Sequence, residues 1–261
     1  MNILEKIIAH KKKEVAAQKE KVTVQELQQQ PLFKKDAKSL KAFLKDESKT
    51  GIIAEYKRRS PSKGIINDTA VVEDVVRDYA TYGASGISIL TDTEFFGGEL
   101  TDLEKAGFVE VPLLRKDFTI DEYQLVEAKA YGASVILLIA ACLTPKEVAQ
   151  LTKTAKSLGL EVLLELHDES ELEHVNASVD LVGINNRNLK TFSVDLEQSV
   201  KLANQVGDGF LKVAESGISN IANIHYLKQY GFDGFLIGET FMKQANPGAA
   251  FKAFAESLTA Q

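Results

Sequence analysis

The sequence predicts an α/β fold, a (β/α)8 (TIM) barrel that is preceded by a short helical extension. Two observations lead to this fold class. Short runs rich in Ile, Leu and Val recur along the chain after Gly51, and segments with helical periodicity lie between them. Continuous apolar runs are typical of parallel strands buried on both faces, and strands that alternate with helices form βα units.

The apolar runs define eight predicted strands, at residues 52–54, 87–90, 111–114, 134–139, 161–166, 181–184, 210–214 and 234–237. The clearest helical patterns cover residues 71–82, 121–131, 145–158, 195–205, 219–230 and 247–257. Several of these helices are followed by glycine, which can end a helix in the left-handed conformation, at Gly83, Gly132, Gly159 and Gly231. A doubly wound open sheet is the main alternative, but the sequence lacks the glycine-rich phosphate-binding motifs typical of it.

The first part of the chain differs in texture from the rest. Residues 1–48 are predicted to be a helical extension and residues 49–261 the barrel, within a single domain. Apolar residues at 3, 4, 7 and 8 have the spacing of an amphipathic helix, and a second short helix is predicted around residues 40–44. Lys11, Lys12 and Lys13 are interpreted as a solvent-exposed helix face, because a nucleic-acid-binding patch usually needs a longer basic run.

The composition is that of an ordinary soluble protein without nucleic-acid or membrane partners. Of the 261 residues 44% are hydrophobic, and the net charge is -6, which argues against nucleic acid as a partner. The longest apolar run, at 135–143, is half the length of a membrane span. Cys142 is the single cysteine, so no disulfide can form within the chain. Since the N-terminus also lacks a signal-peptide pattern, we expect a cytoplasmic protein.

Polar side chains follow the predicted strands at their carboxyl ends, where barrels of this fold build their active sites. They include Glu55, Lys57, Lys116, Glu165, Asn185, Arg187 and Glu215. Burial and close like charges are expected to lower lysine pKa values and raise glutamate pKa values, toward the range in which acid–base catalysis works at neutral pH. Each group could instead form a structural ion pair, but their number on one rim favours a catalytic site.

Glycines after the last two predicted strands indicate an anion-binding site. Ser216 and Gly217 follow strand seven, and Gly238 and Glu239 follow strand eight. Many barrels bind phosphate with these two loops, because backbone N–H groups can approach an anion closely where glycine has no Cβ. The carboxylate of Glu239 would repel a phosphate, so its side chain is expected to point away and leave its backbone N–H as a donor.

The histidines and the cysteine are not expected to form a metal site. The four histidines share no metal-ligand spacing, so no metal is predicted. A structural role is expected for His167, although it lies near the predicted rim. Cys142 is interpreted as a small buried hydrophobic residue.

Seven motifs, in the order of the strands, resemble those of the indole-3-glycerol phosphate synthase family. They are IAEYK at 53–57 with SPS at 60–62, LTD at 90–92 followed by FFGG at 95–98, LRKDF at 114–118, LELH at 164–167, GINNRNL at 183–189, AESGI at 214–218 and LIGE at 236–239. The resemblance spans nearly the whole chain, including the helical extension. It implies a carbon–carbon lyase of tryptophan biosynthesis. Such an enzyme converts 1-(2-carboxyphenylamino)-1-deoxyribulose 5-phosphate to indole-3-glycerol phosphate, with release of carbon dioxide and water.

The resemblance also implies roles for the motif residues. Lys116 would be the general acid of ring closure. Glu165 and Lys57 would serve the later dehydration, one as the acid and the other as the base, and the resemblance as stated does not assign which is which. Orientation of these groups and of the substrate is implied for Glu55, Asn185, Arg187 and Glu215. Phosphate binding is implied for Ser60, Ser216, Gly217, Gly238 and Glu239, and contact with the aromatic ring for Phe96 and Phe118. The resemblance implies a monomer that needs no cofactor.

Two other functions stay open on the residues alone. An isomerase of small phosphorylated sugars would be expected to rely on a cysteine and an aspartate at strand ends, and Lys57 and Lys116 argue against it. A non-catalytic barrel used as a binding module would have no need of the lysines and glutamates at the rim.

Overall fold

The computed structural model describes residues 2–187 and 193–259. Asn188 and Leu189, the last two residues of the motif at 183–189, lie outside the described residues. Eight parallel strands close into a barrel in chain order, which confirms the predicted fold class. The strands are β1 Ile52–Tyr56, β2 Gly86–Leu90, β3 Leu113–Lys116, β4 Val135–Ile139, β5 Glu161–Leu166, β6 Leu181–Asn185, β7 Leu211–Glu215 and β8 Gly234–Ile237. Ile53 of β1 pairs with Gly86 of β2 and with Leu236 of β8, so β1 closes the ring.

Helices precede the barrel and connect its strands. Those of the extension are α1 Ile3–Lys21, α2 Val24–Gln28 and α3 Leu40–Lys45. Those after β1 are α4 Val72–Thr81, α5 Thr93–Phe96, α6 Leu100–Lys105, α7 Glu122–Ala130, α8 Pro145–Ser157, α9 Leu196–Gln205, α10 Ile221–Gln229, α11 Glu239–Met242 and α12 Pro247–Thr259. Short 3-10 helices cover Pro31–Lys34, Ala106–Phe108, Ala140–Cys142 and Glu169–His174. A small hairpin, Arg59–Ser60 with Gly64–Ile65, lies in the loop after β1.

Local chemistry sets the ends of the helices. At the start of α8, Thr144 and Glu147 form a capping box in which each side chain accepts a hydrogen bond from the other residue's backbone N–H. Pro145 occupies the first helical position, where its missing N–H has no cost. Gly132 has a φ of 88° directly after the C-cap of α7, which confirms the helix ending predicted there.

The third strand is displaced along the chain relative to its prediction. It was predicted at 111–114, but β3 spans Leu113–Lys116. Pro112 has no N–H to give to a strand ladder, so the pairing begins after it. The strand then continues through Arg115 and Lys116, whose charges meet carboxylates inside the protein. Apolarity alone therefore placed the end of this strand too early.

Side chains fill the barrel interior in layers, because alternate strands place residues at the same height. One buried apolar layer comes from β1, β3, β5 and β7 and consists of Ile53, Leu114, Leu163 and Val213. Two residues further along the same strands, and therefore on the same side of each, come Glu55, Lys116, Glu165 and Glu215. The layer nearest the carboxyl ends is thus ionic, and it rests on an apolar one.

Helix α3 closes the opposite, amino-terminal end of the barrel. Leu40 is buried in the same apolar cluster as the interior strand residues. A Cβ built on Gly86 would lie 2.7 Å from Leu40 Cδ1, so the absence of a side chain at 86 makes room for this leucine. Glu161, the first residue of β5, accepts hydrogen bonds from the backbone N–H groups of Leu40 at 2.7 Å and Lys41 at 3.2 Å. A strand residue of the barrel thus caps the N-terminus of α3, the helix that closes this end of the barrel.

Replacing Glu161 with alanine should therefore destabilise the protein without affecting the site at the other end of the barrel. Two backbone N–H groups and the hydroxyl of Ser39 would lose their charged acceptor. The free energy of unfolding should fall by about 1–3 kcal/mol. Urea unfolding of this variant beside Glu173→Ala, which changes an exposed glutamate, measures the effect. Equal stabilities for the two variants would show that this contact does not hold α3.

The interpretation of the lysine run in α1 as solvent-exposed is wrong for its first member. Lys12 and Lys13 are exposed, but Lys11 is fully buried. Its Nζ lies 3.0 Å from Asp92 and 2.9 Å from Asp117. Burial disfavours the ammonium, but these carboxylates outweigh burial and hold the pKa of Lys11 above its ordinary value. Three consecutive helical residues point in different directions, so a run of lysines need not share one environment.

Candidate active site

A cavity of about 430 Å³ opens at the carboxyl ends of the strands. All of the site residues predicted from the sequence line it, namely Glu55, Lys57, Ser60, Phe96, Lys116, Phe118, Glu165, Asn185, Arg187, Glu215, Ser216, Gly217, Gly238 and Glu239. They come from all of the βα units except the fourth, and only closure of the ring brings them together. The cavity combines an ionic floor, an apolar wall and a wall rich in glycine and serine.

Lys116 lies at the centre of the ionic layer. Its Nζ donates a hydrogen bond to Glu165 Oε2 at 3.0 Å and lies 3.5 Å from Glu215 Oε2. Burial alone would lower the pKa of Lys116, but Glu165, Glu215 and Glu55 outweigh it and raise this pKa above its ordinary value. The expectation that the rim lysines would have lowered pKa values is therefore wrong for Lys116. The side chain of Lys116 is therefore an ammonium at neutral pH, and it carries a proton that it can donate.

The two glutamates beside Lys116 have opposite pKa shifts. Burial by itself would raise the pKa of both carboxyls, but their neighbours differ. At Glu165, Lys116 and then His167 and Asn185 favour the ionised form and hold the pKa well below its ordinary value. At Glu215, burial is reinforced by the nearby charge of Glu165, and the pKa rises to about 8. The surroundings therefore favour the ionised form of Glu165 and the protonated form of Glu215, an arrangement that places a proton acceptor beside a proton donor.

Two close approaches explain why glycine occupies position 183, in β6, and position 238, directly after β8. Asn185 at the end of β6 donates from Nδ2 to Glu165 Oε1 at 3.0 Å. Two residues earlier, a Cβ on Gly183 would lie 2.2 Å from Glu215 Oε1. A Cβ on Gly238 would lie 2.5 Å from Glu55 Oε1. Both glycines therefore make room for a carboxylate of the ionic layer.

Lys57 and Glu55 form a second ion pair in the same cavity. Lys57 Nζ donates to Glu55 Oε1 at 2.6 Å, and Glu55 Oε2 accepts from Ser88 Oγ at 3.5 Å. Glu55 is buried, whereas about a fifth of the Lys57 side chain, 19%, is exposed toward the cavity. The predicted convergence of the strand-one charges with those of strands three, five and seven is confirmed.

An apolar wall faces the ionic floor. Phe96 and Phe118 lie with ring centroids 6.1 Å apart and planes tilted by 40°. The first turns of α1 add Ile3, Leu4 and Ile7 to the same wall. The sequence showed the apolar stripe of this helix but not where it packs. Aromatic and aliphatic side chains in this arrangement suit a flat aromatic group.

The loops after β7 and β8 form the third side of the cavity. Ser216 and Gly217 both have left-handed backbone, with φ of 68° and 72°. Asn186 Nδ2 donates to the Ser216 carbonyl at 2.7 Å and so helps hold this conformation, which is unusual for serine. Ser216 and Gly217 line the cavity, so this turn presents backbone next to the space that a ligand would occupy. The carboxylate of Glu239 lies 3.4 Å from Lys63 Nζ, so it faces a cation of the loop after β1.

Sequence reasoning missed a buried polar network that supports the cavity from outside. Arg58 forms a bidentate ion pair with the buried Asp102, with a distance of 2.8 Å from Nη2 to Oδ1, and its Nη1 also donates to the Gly97 carbonyl at 3.1 Å. This joins the loop after β1 to the segment after β2 that carries Phe96. Lys11 similarly joins α1 to Asp117, which lies between Lys116 and Phe118. Asp117 lies in the motif at 114–118, but nothing in the sequence pairs it with Lys11, or Arg58 with Asp102.

A scan against protein families matches residues 4–254 to the model described as indole-3-glycerol phosphate synthase. The chain belongs to the indole-3-glycerol phosphate synthase family. A relative of that name from Bacteroides thetaiotaomicron is 48% identical over 258 residues, which cover 98% of this chain and 99% of the relative. These matches confirm the family and the carboxy-lyase class, in tryptophan biosynthesis, that the motifs implied.

More distant structures share the fold alone. The 3-hexulose-6-phosphate synthase of Salmonella typhimurium has a TM-score of 0.62 at 11% identity, covering 80% of this chain and 98% of its own. A structure of the tryptophan synthase complex from Pyrococcus furiosus has the same score at 13% identity, covering 82% and 99%. Within the described residues, no helix is long and apolar enough to cross a membrane, and no cluster of side chains suited to a metal ion occurs.

Proposed function

We propose that the cavity binds 1-(2-carboxyphenylamino)-1-deoxyribulose 5-phosphate and converts it to indole-3-glycerol phosphate. The observation that carries this proposal is the single cavity that joins an apolar wall, an ionic floor and a glycine-rich loop pair. These three features match the three parts of the substrate: an aromatic ring, a reactive carbonyl and a phosphate.

The substrate's ends fix its orientation in the cavity. The phosphate lies against Ser60, Ser216 and Gly217, where backbone N–H groups can donate hydrogen bonds to an anion. Gly238 and the backbone N–H of Glu239 complete this end. The aromatic ring packs against Phe96 and Phe118, and the cation of Arg187 serves the ring's carboxylate. The carbonyl between the two ends then faces the ionic layer.

Lys116 is the general acid of ring closure in this proposal. The ring carbon that bears the carboxylate attacks the carbonyl carbon, and negative charge develops on the carbonyl oxygen. The Lys116 ammonium neutralises it by giving a proton, so that the oxygen becomes a hydroxyl. Loss of carbon dioxide returns the bonding electrons to the ring. Glu165 holds the ammonium 3.0 Å away until the carbonyl oxygen replaces the carboxylate as its partner.

The dehydration that follows needs an acid and a base. Loss of water requires one group to protonate the departing hydroxyl and another to remove a proton from the substrate. Lys57 and Glu165 line the same cavity and belong to two separate ion pairs, so both can face the substrate. Glu55, Asn185 and Glu215 hold these groups in place through the contacts described above. No step calls for a cofactor.

The cellular context proposed from the sequence agrees with this activity. One cysteine and an acidic balance fit a cytoplasmic enzyme that acts on a small phosphorylated molecule. The monomeric state implied by the family resemblance stays a prediction.

Indole fluorescence on addition of the proposed substrate tests the function. The chain has no tryptophan, so a new indole signal arises from product alone. The substrate analogue without its phosphate is the matched probe, and its KM should be at least about tenfold higher because the glycine-rich loops lose their anion. Silence from a folded protein given the complete substrate would contradict the proposed function and favour a non-catalytic barrel.

A further inference from the structure

His167 contacts the ionic layer from behind. It lies two residues after Glu165, on the same side of the chain, at the end of β5. Its Nε2 is 3.0 Å from Glu165 Oε1, and only 8% of its side chain is exposed. Among the described residues, Glu165 lines the substrate cavity and His167 does not. The imidazole therefore reaches the site only through the carboxylate of Glu165.

A second carboxylate lies near the opposite side of this histidine. His167 Nδ1 lies 3.5 Å from Glu171 Oε2, and the same oxygen accepts a hydrogen bond from the His167 backbone N–H at 2.6 Å. Glu171 belongs to the 3-10 helix Glu169–His174 that follows β5. The ring is therefore placed between two carboxylates by its own strand and by the element that follows it.

The contacts of Glu165 differ in whether a bound substrate can replace them. Its Oε2 faces Lys116, while its Oε1 faces both Asn185 and His167. Lys116 and Asn185 line the cavity, so a bound substrate can compete for their hydrogen bonds. The contact with His167 is made on the protein side, where a substrate does not replace it.

We infer that His167 is a positioning residue that fixes the orientation and the charge of Glu165 during the reaction. The inference rests on the proposed function, because it assigns Glu165 the part of a proton acceptor. When Lys116 leaves Glu165 to protonate the substrate, the imidazolium remains as the cation beside Glu165. It keeps the carboxylate ionised and in the cavity.

The charges around His167 support an imidazolium. Burial disfavours the charged ring, but Glu165 and Glu171 outweigh burial and raise the pKa of His167 to about 10. Lys116 lies beyond Glu165. Cys142, whose thiol pKa is raised to about 12 by burial and by the same two glutamates, stays neutral. A cation between two carboxylates is compensated, whereas a neutral imidazole would leave Glu165 with one cation fewer.

Substitution of His167 separates positioning from a merely structural role. His167→Ala should lower kcat by about tenfold with KM within about twofold, since Glu165 acts in the reaction and not in substrate binding. The acid limb of the kcat/KM profile should move to higher pH, because Glu165 loses a cation that favours its ionised form. His167→Gln, which keeps a donor but not the charge, should restore part of kcat but not the acid limb.

His174→Gln is the matched control, because His174 is a buried histidine at the end of the 3-10 helix Glu169–His174, and its ring nitrogens contact the backbone carbonyls of Glu171 and Leu143. It should lower thermal stability without moving the acid limb. An unchanged kcat and acid limb in His167→Ala, or the same kinetic change in His174→Gln, would overturn the inference.

A second measurement does not depend on turnover. In NMR of the protein labelled with 15N-histidine, one imidazole should stay protonated above about pH 8, and Glu165→Gln should lower the pKa of that imidazole. If all four histidines titrate near their ordinary pKa, the inference fails even in an active enzyme. If the paired imidazole is present but no indole forms from the wild type, the proposed function fails instead.

Discussion

Replacing Lys116 with methionine should lower kcat for indole formation by about a thousandfold, the loss expected when a general acid that also neutralises a developing oxyanion is removed. Methionine keeps the length of the side chain but can give no proton. Glu165 and Glu215 would lose the ammonium that lies 3.0 Å and 3.5 Å from them. KM should change much less than kcat, because Lys116 acts on the carbonyl in the transition state. Steady-state measurements of indole fluorescence at a series of substrate concentrations give both values.

The control for this variant is Lys153→Met, which removes an exposed lysine of α8. It should keep the activity of the wild type. Circular dichroism of Lys116→Met should show an intact barrel, since the apolar layer beneath the ionic one is unchanged. A folded Lys116→Met enzyme with nearly full activity would assign the general acid to a different residue, with Lys57 the next to examine.

The second large effect concerns stability rather than rate, and it depends on pH. Glu215→Gln should make the protein more stable than the wild type at about pH 8 and above, and equally stable below about pH 4.5. In the folded state the pKa of Glu215 is raised to about 8 by burial and by the charge of Glu165, whereas the unfolded chain has the ordinary value of 4.5. Between these values the folded wild type holds a proton that the unfolded chain releases, so the wild type loses stability as the pH rises. Glutamine has no proton to lose.

The expected gain at high pH is of the order of a few kcal/mol, because each unit of pKa shift corresponds to about 1.4 kcal/mol. Urea unfolding at a series of pH values measures the difference between the two proteins. Glu104→Gln, at an exposed position of α6, should follow the wild type at every pH. A stability difference that does not change between pH 4 and pH 9 would show that Glu215 does not carry the raised pKa.

The opposite shifts of Glu165 and Glu215 show where sequence reasoning about the site stops. Both residues lie at or next to the carboxyl end of a strand, Glu165 in the motif LELH at 164–167 and Glu215 in the motif AESGI at 214–218. Neither motif indicates which glutamate has the lowered pKa and which the raised one. The ionised form of Glu165 is favoured because Lys116 of β3, Asn185 of β6 and His167, directly after β5, converge on it, whereas Glu215 lies farther from Lys116, at 3.5 Å. Such a difference arises from distances of a few ångströms between chain segments far apart in sequence.

Lys11 shows the same limit for the fold. Its place in a run of three lysines is typical of an exposed helix face, and two of the three are exposed. Lys11 is buried because Asp92 and Asp117, which are far from it along the chain, follow two neighbouring strands beneath α1. The spacing of Ile3, Leu4 and Ile7 predicted an amphipathic helix, but only the packed structure shows that this helix walls the cavity.

The sequence by itself determined the barrel, the order of its strands, and the polar residues that end them. Strand and helix periodicities are local, and the motifs that carry the family are short runs within single strands and loops, so each is readable without its neighbours. The tertiary structure decided the rest: the ionic layer of β1, β3, β5 and β7, the split between Glu165 and Glu215, the burial of Lys11, and the place of His167 behind Glu165. These features depend on closure of the ring, because electrostatic and steric effects act over distances through space that the order of residues along the chain does not contain.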